Sequence, residues 1–487
     1  MLIYICLTSI FLAIYFYVNY HRLKHWKRKG VATLEPQFFF GNAKSVILQR
    51  EHVGTALKNV YKHCRQRQLP FFGYYMFTTP ILIVCDLDLV RKIMVTDFDH
   101  FKDRIFYRND KEPLSLHLVS IDGARWKENR TKFAPLFGSL NVKLLYDRVS
   151  KCVDKYIAQL HEVAQPIELE GFVSKITLDV IACCLFENSS EFMEKNREEI
   201  VQYAEKFWKL SPSESFVRLM VIVFPDVILG TKIKTMSDKK KNLFLSKVAA
   251  ILQEGGHDGY NFVRILQAES HDLPLENIAA NWWIFFVVGY RTVSSLISFC
   301  LYELAMNQSY QMRVVEECKE INSNAIGQMR FLDQCLKVKL IYCTLPETLR
   351  KYPASTMIRR QCTKEYRVVG TSLTLNRGDN VYISTLGIHS DPNLYPDPEK
   401  FLPERFAEGH SRHPCAYIPF GAGPRSCMGQ RFAFMEAKIV VAKILKDFHI
   451  SVNDITDSEP LPMDPKAFEL QTANGIWMNF QKKSSIR

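Results

Sequence analysis

Between Ile278 and Tyr302 the chain carries a single charged side chain, Arg291, within Trp282-Trp283-Ile284-Phe285-Phe286-Val287-Val288-Gly289-Tyr290-Arg291-Thr292. An apolar run of this length has two homes, a bilayer or the interior of a large domain. Arg291 lies near its middle, where a bilayer would impose a cost of at least about 2.5 kcal/mol. The reading is therefore a buried helix, with a membrane span as the rival. With its flanks the helix would run about 30 residues and about 45 Å, enough to cross a domain, so the rest of the chain must wrap around it. Gly289 would let a flat ligand approach the backbone, and Thr292 offers a hydroxyl beside it.

The chain has 487 residues, 47% of them hydrophobic, at a mean hydropathy of −0.09, which suffices for a large core and excludes compositional disorder. No low-complexity linker or repeat divides it, so one catalytic domain over 38–487 is the simplest organisation. Helical patterns dominate, with a buried-strand run at Ile81-Leu82-Ile83-Val84-Cys85 and strand-like pieces near 366–384. This is a mainly α fold with a small β portion. The 13 cysteines are odd in number, lack a C-x-x-C pair and are scattered through apolar stretches, which points to reduced thiols facing the cytosol.

Met1 to Val18 holds no charge, and the basic cluster His21-Arg22-Leu23-Lys24-His25-Trp26-Lys27-Arg28-Lys29 follows. Without a positive start or a small-residue cleavage site, this reads as an uncleaved anchor over 1–20. The positive-inside rule then sets the basic, proline-containing linker over 21–37 in the cytosol; a buried amino-terminal helix is the alternative. A net charge of +12 and a pI near 9.0 call for an acidic partner or an anionic surface. The Lys and Arg are spread without a recognition motif, which speaks against nucleic acid. An acidic redox partner on the same membrane fits better.

A second feature is the loop Phe420-Gly421-Ala422-Gly423-Pro424-Arg425-Ser426-Cys427-Met428-Gly429, placed just ahead of a helical pattern in Phe432, Met435, Ile439, Ala442, Leu445 and Phe448. Glycine and proline shape its backbone so that N–H groups can converge on one atom. Cys427 stands at the helix N-terminus, where free N–H groups and the dipole favour the metal-ligating thiolate. Three readings compete. A phosphate cradle lacks both glycine-rich signatures. A nucleophile lacks a base, since His410 and His413 stand near without a recognisable spacing. A buried structural thiol is the third.

Phe420, Gly423, Arg425, Cys427 and Gly429 fill every fixed position of F-x-x-G-x-R-x-C-x-G, and the loop resembles the haem-binding loop of the cytochrome P-450 family. The resemblance implies that fold, with haem between the long distal helix and the helix after the cysteine loop, and Cys427 as proximal ligand of haem b. Trp126 and Arg130 are similar to the family's propionate-binding helix. Arg360, or failing it Arg359, matches its propionate-binding arginine, and Arg425 joins them. Glu347, Arg350 and Arg405 resemble the buried Glu-Arg-Arg network that supports the haem loop. The stretch from Phe101 to His117 resembles the substrate-covering loop, and His117, Val288, Gly289 and Ser355 to Met357 would line the substrate.

The closest likeness is to insect microsomal members that oxidise lipophilic foreign and endogenous compounds, which implies a monooxygenase on the cytosolic face of the endoplasmic reticulum. Electrons would come from NADPH through a reductase docking near Lys127, Lys132, Arg431 and Lys438, with cytochrome b5 as an optional second partner. Two departures stand out. Thr292 matches the family's proton-handling threonine, but the acid beside it is replaced by Arg291, which cannot be deprotonated and so cannot relay protons. Spacing across 307–346 is also irregular; Pro346 fits only a first helical turn, so Thr344 is the expected cap of a helix that starts late. These departures keep two alternatives open, a haem-binding ligand sink with little turnover and a peroxide-rearranging member of the same fold.

Overall fold

The computed structural model of the protein describes residues 22–186, 238–254, 273–323, 339–407 and 412–483, with 17, 217 and 219–221. The anchor expected over 1–20, His410 and residues 324–338 of the irregular stretch lie outside the described residues, apart from position 17. Apolar spacing at Val53, Leu57, Val60, Tyr61 and Cys64 makes Val53–Gln66 an amphipathic helix, α1. The apolar runs Phe71–Met76 (β1) and Thr79–Val84 (β2) follow as paired strands. Next come helices α2 (Gly123–Phe133) and α3 (Tyr146–Leu160), strand β3 (Ile167–Glu168), and helices α4 (Leu169–Phe186) and α5 (Asp238–Glu254).

The long apolar run forms α6 (Leu275–Met306), of 32 residues. Two-thirds of its most apolar window, 67%, is buried within the protein against α4 and α5 and against elements that follow, which is the destination of a core helix. After it come α7 (Gln308–Ser323), α8 (Lys339–Lys351), β4 (Met357–Gln361), β5 (Tyr366–Arg367), β6 (Thr374–Leu375), β7 (Asn380–Ser384), α9 (Gln430–Asp447), β8 (Phe448–Val452) and β9 (Trp477–Lys482). A four-stranded sheet has the order β1-β2-β7-β4, with β2 and β7 parallel; β3-β9-β8 and β5-β6 complete the β portion. One core surrounds α3, α4, α6 and α9, a second lies under the four-stranded sheet, and a small third cluster joins Leu116, Leu118, Ile121 and Trp126. This is a mainly α fold with a small β portion.

Helix α8 corrects one expectation. It begins at Lys339 and runs through Pro346, so it does not start late, and Thr344 does not cap it. The Thr344 hydroxyl instead donates back to Leu340 O at 2.6 Å. Proline removes the N–H that would pair with the carbonyl of Tyr342, and Tyr342 is exposed, so water can satisfy that oxygen. The interior proline is tolerated because its defect faces outward.

Candidate functional site

The loop before α9 is shaped by backbone approach. Gly423 has φ +71, and a Cβ there would stand 2.0 Å from Met94 O, so neither the conformation nor the space admits a larger residue. Gly421 N donates to Ile418 O at 3.0 Å and Cys427 N to Phe420 O at 2.8 Å, closing the loop on itself. Phe420 packs edge-on against Phe434 of α9, with ring centroids 5.3 Å apart. Cys427 is ringed by protein yet keeps accessible surface, as a thiol on a cavity wall does. Burial pushes its thiol up; the N–H groups of Gly429 and Gln430, together with Arg130 and Arg104, pull it back. The helix terminus thus favours the thiolate as expected, but burial outweighs it, and a bound cation would reverse the balance.

Behind the loop sits a buried ion network. Glu347 and Arg350, on successive turns of α8, meet in a fork with Nε to Oε2 and Nη2 to Oε1 both at 2.8 Å. Arg405 brings Nε to 3.3 Å from Glu347 Oε1 and donates from Nη2 to Asp397 O at 2.8 Å. Arg350 also donates to His389 O at 2.9 Å and Lys400 O at 3.2 Å, and Leu402 N donates to Glu347 at 3.0 Å. His389 Nε2 in turn accepts from Ile418 N at 3.0 Å, which ties the network to the segment leading into the cysteine loop. Burial, with the Arg350 charge beside it, holds His389 neutral and lowers its pKa to about 3.

Beside Cys427 lies an excess of positive charge. Arg425 donates from Nη2 to Ile121 O at 2.9 Å and Asp122 Oδ1 at 3.1 Å, and its guanidinium carbon lies 4.4 Å from the Trp126 ring centroid. Arg104 donates from Nη2 to Arg425 O at 2.8 Å. Arg360 donates to Arg359 O at 2.9 Å. Burial lowers Arg425 to about 10 and, with Arg425 repelling it, Arg360 to about 9; burial and its arginine neighbours push Arg104 down as well. Arg130 is lowered by burial too, with Cys427 near enough to offset it. Asp122 and Asp103 are the acids whose charges reach Arg425, and the Nε of Arg360 and the Nε and Nη1 of Arg425 have no hydrogen-bond partner. Buried guanidiniums that keep unpartnered nitrogens fit a group that brings its own carboxylates. A haem with its two propionates fits the residues present.

The facing wall is α6. Between Ile278 and Ala305 the half-exposed residues are Phe285, Val288, Gly289, Arg291, Thr292 and Ser295, and all but Arg291 recur at steps of three or four along one stripe. Phe137 bridges the two walls, with its ring 5.3 Å from Phe285 and close to Gly429. The Thr292 hydroxyl donates to Val288 O at 3.0 Å. Gly289 lies on the same half-exposed stripe, and a Cβ there would meet Ile181 Cδ1 at 3.2 Å, so the missing side chain also lets α4 approach α6. Arg291 turns toward α4, with Nη1 3.4 Å from Ser174 Oγ, and its charge favours the ionised form of Glu170, which burial otherwise disfavours.

His117 lies on the covering loop, ringed by protein, with its pKa lowered by burial to about 4. Ser355 is exposed, whereas Thr356 and Met357 are buried. Lys438 is no surface group: it is 6% exposed, with its ammonium 4.9 Å from the Tyr342 ring centroid, whereas Lys127 and Arg431 are exposed. A lysine stem four residues along a buried face of α9 can snorkel under a ring, which spacing alone does not reveal.

Sequence reasoning did not assign roles to Arg104, His389 or Asn281. The Asn281 Oδ1 accepts from Leu118 N at 2.8 Å and its Nδ2 donates to Asn129 Oδ1 at 3.2 Å, pinning the covering loop to α6 and α2. An amide inside an apolar helical run is the signal that would have found it, since a buried amide demands partners. Arg104 and His389 act through partners far away in the chain, and no local pattern marks them. The sequence profile of the cytochrome P-450 family matches residues 33–478. Among curated proteins, cytochrome P-450 6B4 of Papilio glaucus is 32% identical, with 98% of this chain and 98% of its own length aligned. Cytochrome P-450 6j1 of Blattella germanica is 30% identical, with 97% and 96% aligned.

Proposed function

The chain belongs to the cytochrome P-450 family, and from that premise we propose a haem-thiolate monooxygenase that inserts one atom of O2 into a lipophilic foreign or endogenous substrate, with electrons from NADPH. The observation that carries the reading is the cluster of buried guanidiniums of Arg104, Arg360 and Arg425 beside the Cys427 thiol, of which Arg360 and Arg425 keep nitrogens without a hydrogen-bond partner. Cys427 ligates the iron, and Trp126, Arg130, Arg360 and Arg425, joined by Arg104, hold the propionates. When bound, the group supplies an electron-rich iron that favours O–O cleavage. Thr292 positions a proton donor on the distal side: its own hydrogen is held by Val288 O, which leaves its lone pairs free to accept. Arg291 takes no part, because its charge is engaged with α4.

The electrons arrive through a reductase on the same endoplasmic reticulum membrane, meeting the basic surface at Lys127, Lys132 and Arg431. Phe285 and Val288 give the substrate an apolar wall. A reduced carbon monoxide spectrum of the full-length protein is expected to show the red-shifted Soret band of a thiolate complex, lost in Cys427→Ser. NADPH consumption measured against product and peroxide then separates the readings. Product that tracks NADPH supports the monooxygenase; a correct spectrum without product from a lipophilic panel supports the ligand sink; product from organic peroxides without NADPH supports the rearranging enzyme.

A further inference from the structure

Far from the cysteine loop, two thiols meet across the seam between α3 and α4. The Tyr156 hydroxyl of α3 donates to Asp179 Oδ2 of α4. One helical turn back along α3 stands Cys152, and one turn forward along α4 stands Cys183. Their thiols are in hydrogen-bond contact, with Cys152 donating to Cys183. Two contacts a turn apart, in opposite order along two packed helices, set α3 and α4 antiparallel and hold the thiols in register. Cys183 is exposed and Cys152 half-buried, so a small solute can reach the pair.

The two sulfurs are not equivalent. The hydrogen bond from Cys152 lowers the Cys183 thiol against burial and Asp179, and Arg148 and Lys155 of α3 add to the lowering. The same bond, together with burial, raises Cys152. An open thiol that ionises readily, beside a second thiol that stays protonated, is the arrangement in which one sulfur attacks an oxidant and the other resolves the product. A second pair of adjoining thiols, Cys64 and Cys85, makes the contrast: both are 0% exposed, and burial pushes Cys85 up. Reach and ionisation both favour Cys183.

We propose that Cys152 and Cys183 are a modification site, a dithiol that hydrogen peroxide converts to a reversible disulfide between α3 and α4. The Cys183 thiolate attacks the O–O bond, forming a sulfenic acid and releasing hydroxide, which takes up the proton the Cys183 thiol gave up. The Cys152 sulfur then attacks Cys183, forming the S–S bond as the sulfenic oxygen leaves with the Cys152 proton as water. Two thiols lose two electrons and one peroxide gains them, giving two waters. An external dithiol reverses the step by exchange. The bond would fasten α3 to the helix whose Ser174 Oγ lies 2.9 Å from Ser294 Oγ of α6.

The test exposes the folded full-length protein to hydrogen peroxide, alkylates the remaining thiols and maps tryptic peptides by mass spectrometry. The peptide of Cys152 is expected to be joined to that of Cys183, and dithiothreitol to release it. Cys183→Ser should abolish the link. Cys152→Ser should leave a Cys183 sulfenic acid that dimedone traps. Because Cys184 shares the tryptic peptide, Cys184→Ser is the control that keeps the link. Absence of the link in the native protein overturns the proposal, and that measurement needs no variant to fold. A link that survives Cys183→Ser, or a Cys64–Cys85 link that forms first in the folded protein, overturns it as well.

Discussion

Behind the cysteine loop, all three nitrogens of Arg350 donate hydrogen bonds and Glu347 accepts from Arg350 and Leu402, whereas across the cavity Thr292 bonds back to its own helix and Arg291 makes one contact at 3.4 Å. The difference follows from what each side receives. The proximal side meets one group of fixed shape, so rigid atoms can be placed in advance and held by neighbours. The distal side meets variable ligands and a moving proton, so its stripe is apolar, half-exposed and lightly bonded. Buried guanidinium nitrogens without a hydrogen-bond partner occur where a ligand can bring the counter-charge, as at Arg425 and Arg360.

The harshest way to break this comparison is Arg350→Met. It strands Glu347 as a buried, partly uncompensated charge and should cost about 3–5 kcal/mol, read as failure to accumulate haem-loaded protein. If the variant folds and loads normally, the proximal side is not the rigid one. Gly423→Ala comes next: the left-handed backbone alone costs about 1–2 kcal/mol, and Met94 must also move, so the carbon monoxide band should weaken while secondary structure measured by circular dichroism survives.

His389 sharpens the comparison through pH. Its folded pKa is depressed from the ordinary 6.5 to about 3. Below pH 6.5 the unfolded chain takes up a proton that the native imidazole refuses, so stability falls with pH down to about 3 and the contribution is fully present above 6.5. Denaturant titrations of His389→Gln should show an acid slope smaller by about one proton. The mildest change is Thr292→Val. It removes one exposed-side hydrogen bond within a helix and should alter stability by less than about 1 kcal/mol, yet peroxide released per NADPH should rise. Unchanged peroxide would remove Thr292 from the proton path.

What was legible depended on distance along the chain. The cysteine loop, the Glu347–Arg350 pair and the core destination of α6 were written in local spacing, because a turn or a helix face involves residues a few positions apart. Arg104 meets the carbonyl of Arg425 from 321 positions away, and Asn281 meets Leu118 from 163; such meetings are decided by the packing of whole elements. Misreadings had the same origin. Periodicity placed Lys438 on a face but could not say that Tyr342 would cover its ammonium. Proline rules foretold a late start for α8 because they price the lost N–H, and the exposed Tyr342 makes that loss small.

The crowd of guanidiniums beside Cys427 also bears on how much of this protein a cell can keep. Without its cofactor the chain holds like charges together away from water, and a tightly held ligand that neutralises them stabilises the folded form in proportion to the logarithm of its concentration. The apo chain should therefore be the population that proteases remove. Steady-state abundance becomes a gauge of the haem supply, and a cell short of haem loses this protein by turnover even while its message is unchanged.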